Sequence, residues 1–83
     1  MVVKVTKKQP DAIPVVIGTE FIKLEAALKY ANATESGGMA KAVIQDGLVN
    51  VNGEVCTMRG KKLYPGDRIT YGGSEYLICI HES

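Results

Sequence analysis

Apolar residues recur every three or four positions between residues 19 and 31. The positions that share this spacing are Leu24, Ala27, Leu28 and Ala31. This period places them on one face of a helix, so the sequence predicts a helix near residues 20–31. Two starts fit the pattern: Thr19 caps the helix, or residues 20–22 stay extended and the helix begins near Lys23.

A second helical pattern follows after a short polar connection. Its apolar positions are Met39, Ala40, Val43 and Ile44. Ser36 is a good N-cap, because its side-chain oxygen can accept a hydrogen bond from a backbone N–H of the first turn, and Gly47 is a good C-terminal stop. We therefore predict a helix near residues 37–46. The connection of residues 32–35 is short enough to force the two helices to pack on each other.

The hydrophobic period changes from helical to two after the second helix, which is typical of β-strands. Asn52-Gly53 is a strong hairpin signal, and Tyr64-Pro65-Gly66-Asp67 predicts a second turn. The segments predicted as strands are residues 14–17, 68–71 and 75–80. The expected fold class is α+β, with two packed helices (helix-loop-helix) against a small antiparallel β-sheet.

The length and composition fit one small domain. The 83 residues are 46% apolar and 23% charged, a mixture typical of globular chains. We expect an N-terminal segment with a short strand over residues 1–18 and the functional domain over residues 19–83. The basic residues 1–11 predict a short strand or a loose tail. Because no apolar run resembles a signal peptide or a membrane span, we expect a cytoplasmic protein without membrane contact.

Patterns for catalysis or metal binding are weak in this sequence. Cys56 and Cys79 are far apart and form no CxxC pair, so both are expected to be reduced. His81 is the only histidine and has no partners at ligand spacing. Asp67 is expected to be a hydrogen-bonding turn residue and not a base. We expect no enzyme activity, no metal, no cofactor and no small-molecule substrate.

Positive charge is concentrated locally, although the formal net charge is only +1. One loop carries three cations within four residues: Arg59, Lys61 and Lys62. Their mutual repulsion would be relieved by an anionic partner. Lys41 has no acidic neighbour at helical spacing. Lys29 follows Glu25 by four residues, which predicts a surface ion pair and little contribution to binding.

The start of the second helix has features of an anion site. Its first backbone N–H groups lack intrahelical partners, and the helix dipole is positive there. Gly37 and Gly38 carry no side chain that would block a phosphate. The alternative is that the two glycines only reverse the chain between the helices.

An ordered series of motifs resembles the S-four-like RNA-binding domain, and most closely its short stand-alone bacterial members. The series covers about 50 residues. The matching pieces are Lys23-Leu24-Glu25-x-x-Leu28, Glu35-Ser36-Gly37-Gly38-x-Ala40-Lys41, Ile44-x-x-Gly47-x-Val49-x-Val51-Asn52-Gly53-Glu54 and Arg59-Gly60-Lys61-Lys62-Leu63-x-Pro65-Gly66-Asp67.

The resemblance implies a helix pair that presents a positive face to structured RNA, either ribosomal or transfer RNA. The ribosome is therefore a possible binding partner. The residues implied in RNA binding are Lys23, Ser36, Gly37, Gly38, Lys41, Arg59, Lys61 and Lys62. Many members carry arginine at the positions of Lys23 and Gly37, and aspartate at that of Glu25. These departures predict weaker binding dominated by phosphate contacts.

Two further expectations concern the aromatic residues and a competing function. The tyrosines and Phe21 are scattered along the sequence, so we expect them in the core or at its rim. Without a row of aromatic residues for stacking bases, we expect the ligand to be folded RNA that is recognised by its shape. The alternative function is a small protein-interaction module of β-grasp-like or S-four-like fold without RNA binding. Small β-grasp sulfur carriers end in a Gly-Gly carboxylate, whereas this sequence ends in His81-Glu82-Ser83.

Overall fold

The computed structural model describes residues 12–80. Predictions that concern residues 1–11 and His81 lie outside this range. The elements in chain order are β1 (Ala12–Ile17), β2 (Ile22–Lys23), α1 (Leu24–Tyr30), α2 (Gly37–Gln45), β3 (Asn50–Val51), β4 (Glu54–Val55), β5 (Lys62–Leu63), β6 (Arg68–Tyr71) and β7 (Ser74–Ile80). The predicted α+β class with two helices is confirmed. The division of the chain at residue 18 stays a prediction.

The main sheet has five strands in the order β1-β7-β6-β3-β4. The pairs β7–β6, β6–β3 and β3–β4 are antiparallel. Strand β1 runs parallel to β7, with Val15 opposite Ile78. The predicted antiparallel sheet is therefore found among β3, β4, β6 and β7, but the whole sheet is mixed because β1 joins it in parallel. The reason is that both helices and five strands separate β1 from β7, and a crossover of that length allows parallel pairing, whereas a tight hairpin does not.

Helix α1 begins at Leu24 because its first N–H groups find partners in a distant loop. Lys23 is the N-cap and has an extended backbone, and its side chain makes no capping hydrogen bond. The Leu24 N–H donates to the Lys61 carbonyl oxygen (2.9 Å), and the Glu25 N–H donates to the Arg59 carbonyl oxygen (3.1 Å). The second of the two predicted starts, near Lys23, is thus confirmed.

Helix α2 begins at the predicted residue and ends one residue before the predicted end, with Asp46 as its C-cap. The Ser36 hydroxyl oxygen accepts a hydrogen bond from the Met39 N–H at 3.2 Å. At the other end Gly47 has a φ of 76°, and the N–H groups of Gly47 and Leu48 donate to the carbonyl oxygens of Ile44 and Val43. This pair of bonds is a Schellman motif, which satisfies the last carbonyl groups of the helix.

Replacing the capping side chain is expected to destabilise the domain. Ser36→Ala removes the acceptor for the Met39 N–H, so the free energy of unfolding should fall by about 1 kcal/mol. Urea denaturation followed by circular dichroism measures this change. Ser36→Asp is the matched control, because a carboxylate also accepts the bond and favours the positive end of the helix dipole. Equal losses in both variants would contradict the capping role.

The two predicted turns are joined by a hydrogen bond between the side chains of Asn52 and Asp67. Asn52 and Gly53 have φ values of 53° and 88°, as a type I′ hairpin requires. The Asp67 carboxylate accepts from the Tyr64 N–H at 2.8 Å and from the Asn52 side-chain amide at 3.2 Å. Asp67 is therefore a turn residue, as the sequence predicts.

The helix pair packs on one face of the main sheet in a single core. Its buried apolar residues are Val15, Ile17, Leu24, Ala27, Leu28, Ala40, Val43, Ile44, Val49, Val51, Leu63, Ile69, Tyr76 and Ile78. Met39 was predicted on the buried face of α2 but is 41% exposed, and that prediction is wrong. Because an α-helix turns by about 100° per residue, Met39 lies roughly 90° around the helix axis from the middle of the face formed by Ala40, Val43 and Ile44. No helix within residues 12–80 is long and apolar enough to span a membrane.

Candidate nucleic-acid interface

A second, two-stranded sheet attaches the basic loop to the start of α1. β2 and β5 pair antiparallel, with Ile22 opposite Leu63 and Lys23 opposite Lys62. Leu63 is fully buried and Ile22 packs against the core, so apolar contact holds the ladder in place. The sequence did not predict this sheet, since two-residue strands leave no period to detect. It joins residues 59–62 to the helix pair.

The ladder places two lysines directly opposite each other. Lys23 and Lys62 face each other across the strands, where opposed Cβ atoms lie about 5 Å apart and like charges destabilise the pair. The Lys62 ammonium nitrogen also lies 4.9 Å from the centre of the Phe21 ring, which is cation–π geometry. An anionic ligand bound here would relieve the repulsion between these positive charges.

An open groove of about 440 Å³ lies between the two helices and the loop of residues 59–62. We call it the basic groove. Its lining residues are Glu25, Ala26, Lys29, Gly37, Gly38, Lys41 and Arg59. Four of the residues predicted in RNA binding are thus brought together: Gly37, Gly38, Lys41 and Arg59. They come from separate segments of the chain, and the β2–β5 ladder and the helix pairing bring them together.

The first turn of α2 forms an open end of the basic groove. A methyl group added at Gly37 would meet no atom within 4 Å, and one added at Gly38 would meet only the Ser36 hydroxyl oxygen at 3.8 Å. Within residues 12–80 the N–H groups of Gly37 and Gly38 have no acceptor. Free amides beside open space can donate to a phosphate oxygen. The Ser36 hydroxyl is engaged in the helix cap.

Lys29 occupies a different position from the one that the sequence predicted. In the described part of the chain the ion pair is between Arg68 and Glu75, and Lys29 forms none with Glu25. The predicted surface pair is therefore wrong, and both residues line the basic groove together with Lys41 and Arg59. Helical spacing alone could not reveal this, since the groove forms only when the loop docks on α1.

Lys61 lies apart from the basic groove. Its backbone carbonyl accepts from the Leu24 N–H, while its side chain lines a hollow of about 280 Å³ beside the β3–β4 hairpin. Val55 and Met58, both well exposed, line the same hollow. Of the three cations in this loop, therefore, Arg59 lines the basic groove, Lys62 pairs with Lys23 across the ladder, and Lys61 faces the hairpin.

Among residues 12–80, the two cysteines considered for other chemistry do not pair with each other. Cys56 and Cys79 are both free and half-buried. Their reduced state stays a prediction. Between residues 12 and 80 no group of three or more histidine, cysteine, aspartate or glutamate side chains could hold a metal ion.

Comparisons with known proteins agree with this arrangement. A model of the S4 domain family matches residues 15–79. This range includes both helices, the β2–β5 ladder and every residue that lines the basic groove. The chain is also similar to a protein of Bacillus subtilis (strain 168) named "Probable ribosome maturation protein RlbA". The two are 45% identical over 62 residues, which is 75% of this chain and 87% of that protein.

Proposed function

We propose that this chain, which belongs to the S4 domain family, binds structured RNA through the basic groove and the cations around it. The contacts we propose are those predicted from the sequence apart from Ser36, with Lys29 added. They are Lys23, Gly37, Gly38, Lys29, Lys41, Arg59, Lys61 and Lys62. Ser36 acts indirectly, because its cap orients the amides of the first turn of α2. The proposal includes no catalytic step.

The observation that carries the proposal is the segregation of positive charge. Of the ten basic residues, Lys4, Lys7 and Lys8 lie outside the described range. The others, apart from Arg68, belong to α1 with its cap, to α2 or to the docked loop. Arg68 alternates with buried Ile69 on β6, so it lies on the sheet face opposite the helices, paired with Glu75.

The chemistry of the groove suits phosphates more than base edges. Among the charged side chains that line it, only the Glu25 carboxylate accepts hydrogen bonds, whereas two ammonium groups, a guanidinium and the free backbone amides of α2 donate them. Such donors fix the position of a nucleic acid backbone without sequence information. Double-helical RNA is recognised mostly by shape and backbone contacts, which favours folded RNA over single strands as the ligand.

The name of the Bacillus subtilis relative suggests which RNA to test first. That protein is named for ribosome maturation. We therefore propose a folded segment of ribosomal RNA as the ligand, and a role beside the ribosome that would place this protein in the cytoplasm. Transfer RNA is the second RNA to test, because the same shape and phosphate contacts occur there.

The test is fluorescence anisotropy of the protein with a folded ribosomal RNA fragment at 50 mM salt. Lys41→Ala is expected to weaken binding roughly tenfold, because a charge-assisted hydrogen bond to phosphate is lost. Arg68→Gln removes the same charge from the opposite face and should change affinity less than about twofold. Circular dichroism confirms that each variant is folded.

The alternative function is a protein-interaction module without RNA binding. If no folded RNA binds the wild-type protein even at 50 mM salt, the RNA proposal is wrong and this alternative replaces it. Equal losses for Lys41→Ala and Arg68→Gln would keep RNA binding but reject the basic groove as its site.

A further inference from the structure

Tyr30, the last residue of α1, is exposed in a way that the packing of the domain does not require. It is 63% exposed, whereas Tyr76 is buried and Tyr71 is half-buried against the core. Tyr64 packs on Phe21 with ring centres 5.9 Å apart. Among the aromatic residues between 12 and 80, Tyr30 alone has neither an aromatic neighbour nor a place in or against the core.

Tyr30 lines a second groove, of about 480 Å³, together with Ile22, Ala26 and Lys29. We call it the aromatic groove. Ala26 and Lys29 also line the basic groove, so the two grooves lie side by side on the exposed side of α1. A ligand held in the basic groove can therefore extend past Lys29 to the Tyr30 ring.

The lining of the aromatic groove suits one nucleotide. The Tyr30 ring offers a face for stacking, and Ile22 and Ala26 add apolar walls. Lys29 lies at one boundary of the groove. This cation favours an anionic ligand over an apolar or basic protein segment.

We infer that Tyr30 stacks on an unpaired nucleobase adjacent to the RNA helix held in the basic groove, while Lys29 contacts the phosphate between them. This inference rests on the proposed function and adds to it. The protein would then distinguish a helix with an unpaired nucleotide from a fully paired helix. Phosphate contacts alone give no such preference.

The experiment uses two RNA hairpins of the same helix, one fully paired and one with a single unpaired 2-aminopurine. The wild-type protein and Tyr30→Phe should bind the second hairpin roughly tenfold more tightly, because base–aromatic stacking needs only the ring. Both should change the 2-aminopurine fluorescence, which responds to stacking. Tyr30→Leu should lose the preference and the fluorescence change but keep the salt dependence. Leu48→Ala, an exposed apolar residue outside both grooves, is the control for general surface effects.

The outcomes separate this inference from the proposed function. If the wild-type protein binds both hairpins equally, or if Tyr30→Leu keeps the preference, the inference is overturned while RNA binding stands. In that case a protein segment becomes the candidate occupant of the aromatic groove. If the wild-type protein binds neither hairpin at 50 mM salt, the proposed function fails first and the inference fails with it.

Discussion

Raising the salt concentration from 50 to 200 mM is expected to weaken RNA binding by two to three orders of magnitude. Binding to phosphates releases condensed counterions, and the logarithm of affinity falls by about 0.7 to 0.9 times the number of contacts for each tenfold rise in salt. Five cationic contacts, from Lys23, Lys41, Arg59, Lys61 and Lys62, predict a slope of roughly −3.5 to −4.5. A sixth from Lys29 makes it about one unit steeper at most. Anisotropy titrations at four or more salt concentrations measure the slope.

Single variants assign this slope to particular residues. Lys41→Ala should flatten it by about one unit and weaken binding to different RNA sequences similarly. Lys29→Ala is expected to flatten the slope as Lys41→Ala does, because Lys29 lines the same groove and forms no ion pair with Glu25. Arg68→Gln should leave the slope unchanged. A wild-type slope near zero would contradict phosphate binding, and a flattened slope for Arg68→Gln would contradict the proposed face.

The elements that local sequence determines were predicted well. The Ser36 cap, the glycine stop at Gly47 and the Asn52-Gly53 turn each depend on residues within a few positions of one another. A capping hydroxyl or a glycine in the left-handed region acts in the same way in most folds. The prediction of α2 and of the hairpin therefore needed no knowledge of the tertiary structure.

The features that the sequence did not reveal depend on contacts between distant segments. The parallel pairing of β1 with β7 and the β2–β5 ladder join residues that are far apart in the chain. Lys29 was assigned to a local pair with Glu25, but docking of the loop at Arg59 turns that side of α1 into a groove wall. Helical spacing predicts which residues are neighbours on one helix, but it does not predict which other element packs over them.

The motifs of the candidate site were visible in the sequence, but their grouping was not. Gly37, Gly38, Lys41 and Arg59 were each identified, and the structure brings them into one groove. Lys61, from the same basic loop, lies beside the hairpin instead. Neighbours in a loop can line different cavities, so a run of like charges does not place all its members in one groove.

The difference between Ile44 and Met39 gives the second large expected effect. The sequence predicted both on the buried face of α2, but Ile44 is fully buried and Met39 is 41% exposed. Ile44→Ala leaves a cavity between α2 and the sheet, so the free energy of unfolding should fall by about 2–5 kcal/mol. This is a large share of the roughly 5–15 kcal/mol that stabilises a typical domain.

Urea denaturation should show a lower midpoint for Ile44→Ala with an unchanged slope, because the same surface is exposed on unfolding. Met39→Ala is the matched control, and it should change stability by less than about 0.5 kcal/mol, as exposed substitutions usually do. Ile44→Val, which removes one methyl group, should cost about 0.5–1.5 kcal/mol. Since Gly37, Gly38 and Lys41 all lie on α2, loss of its packing should also weaken RNA binding in proportion to the unfolded fraction. Equal destabilisation by Ile44→Ala and Met39→Ala would mean that α2 packs with a different face on the sheet.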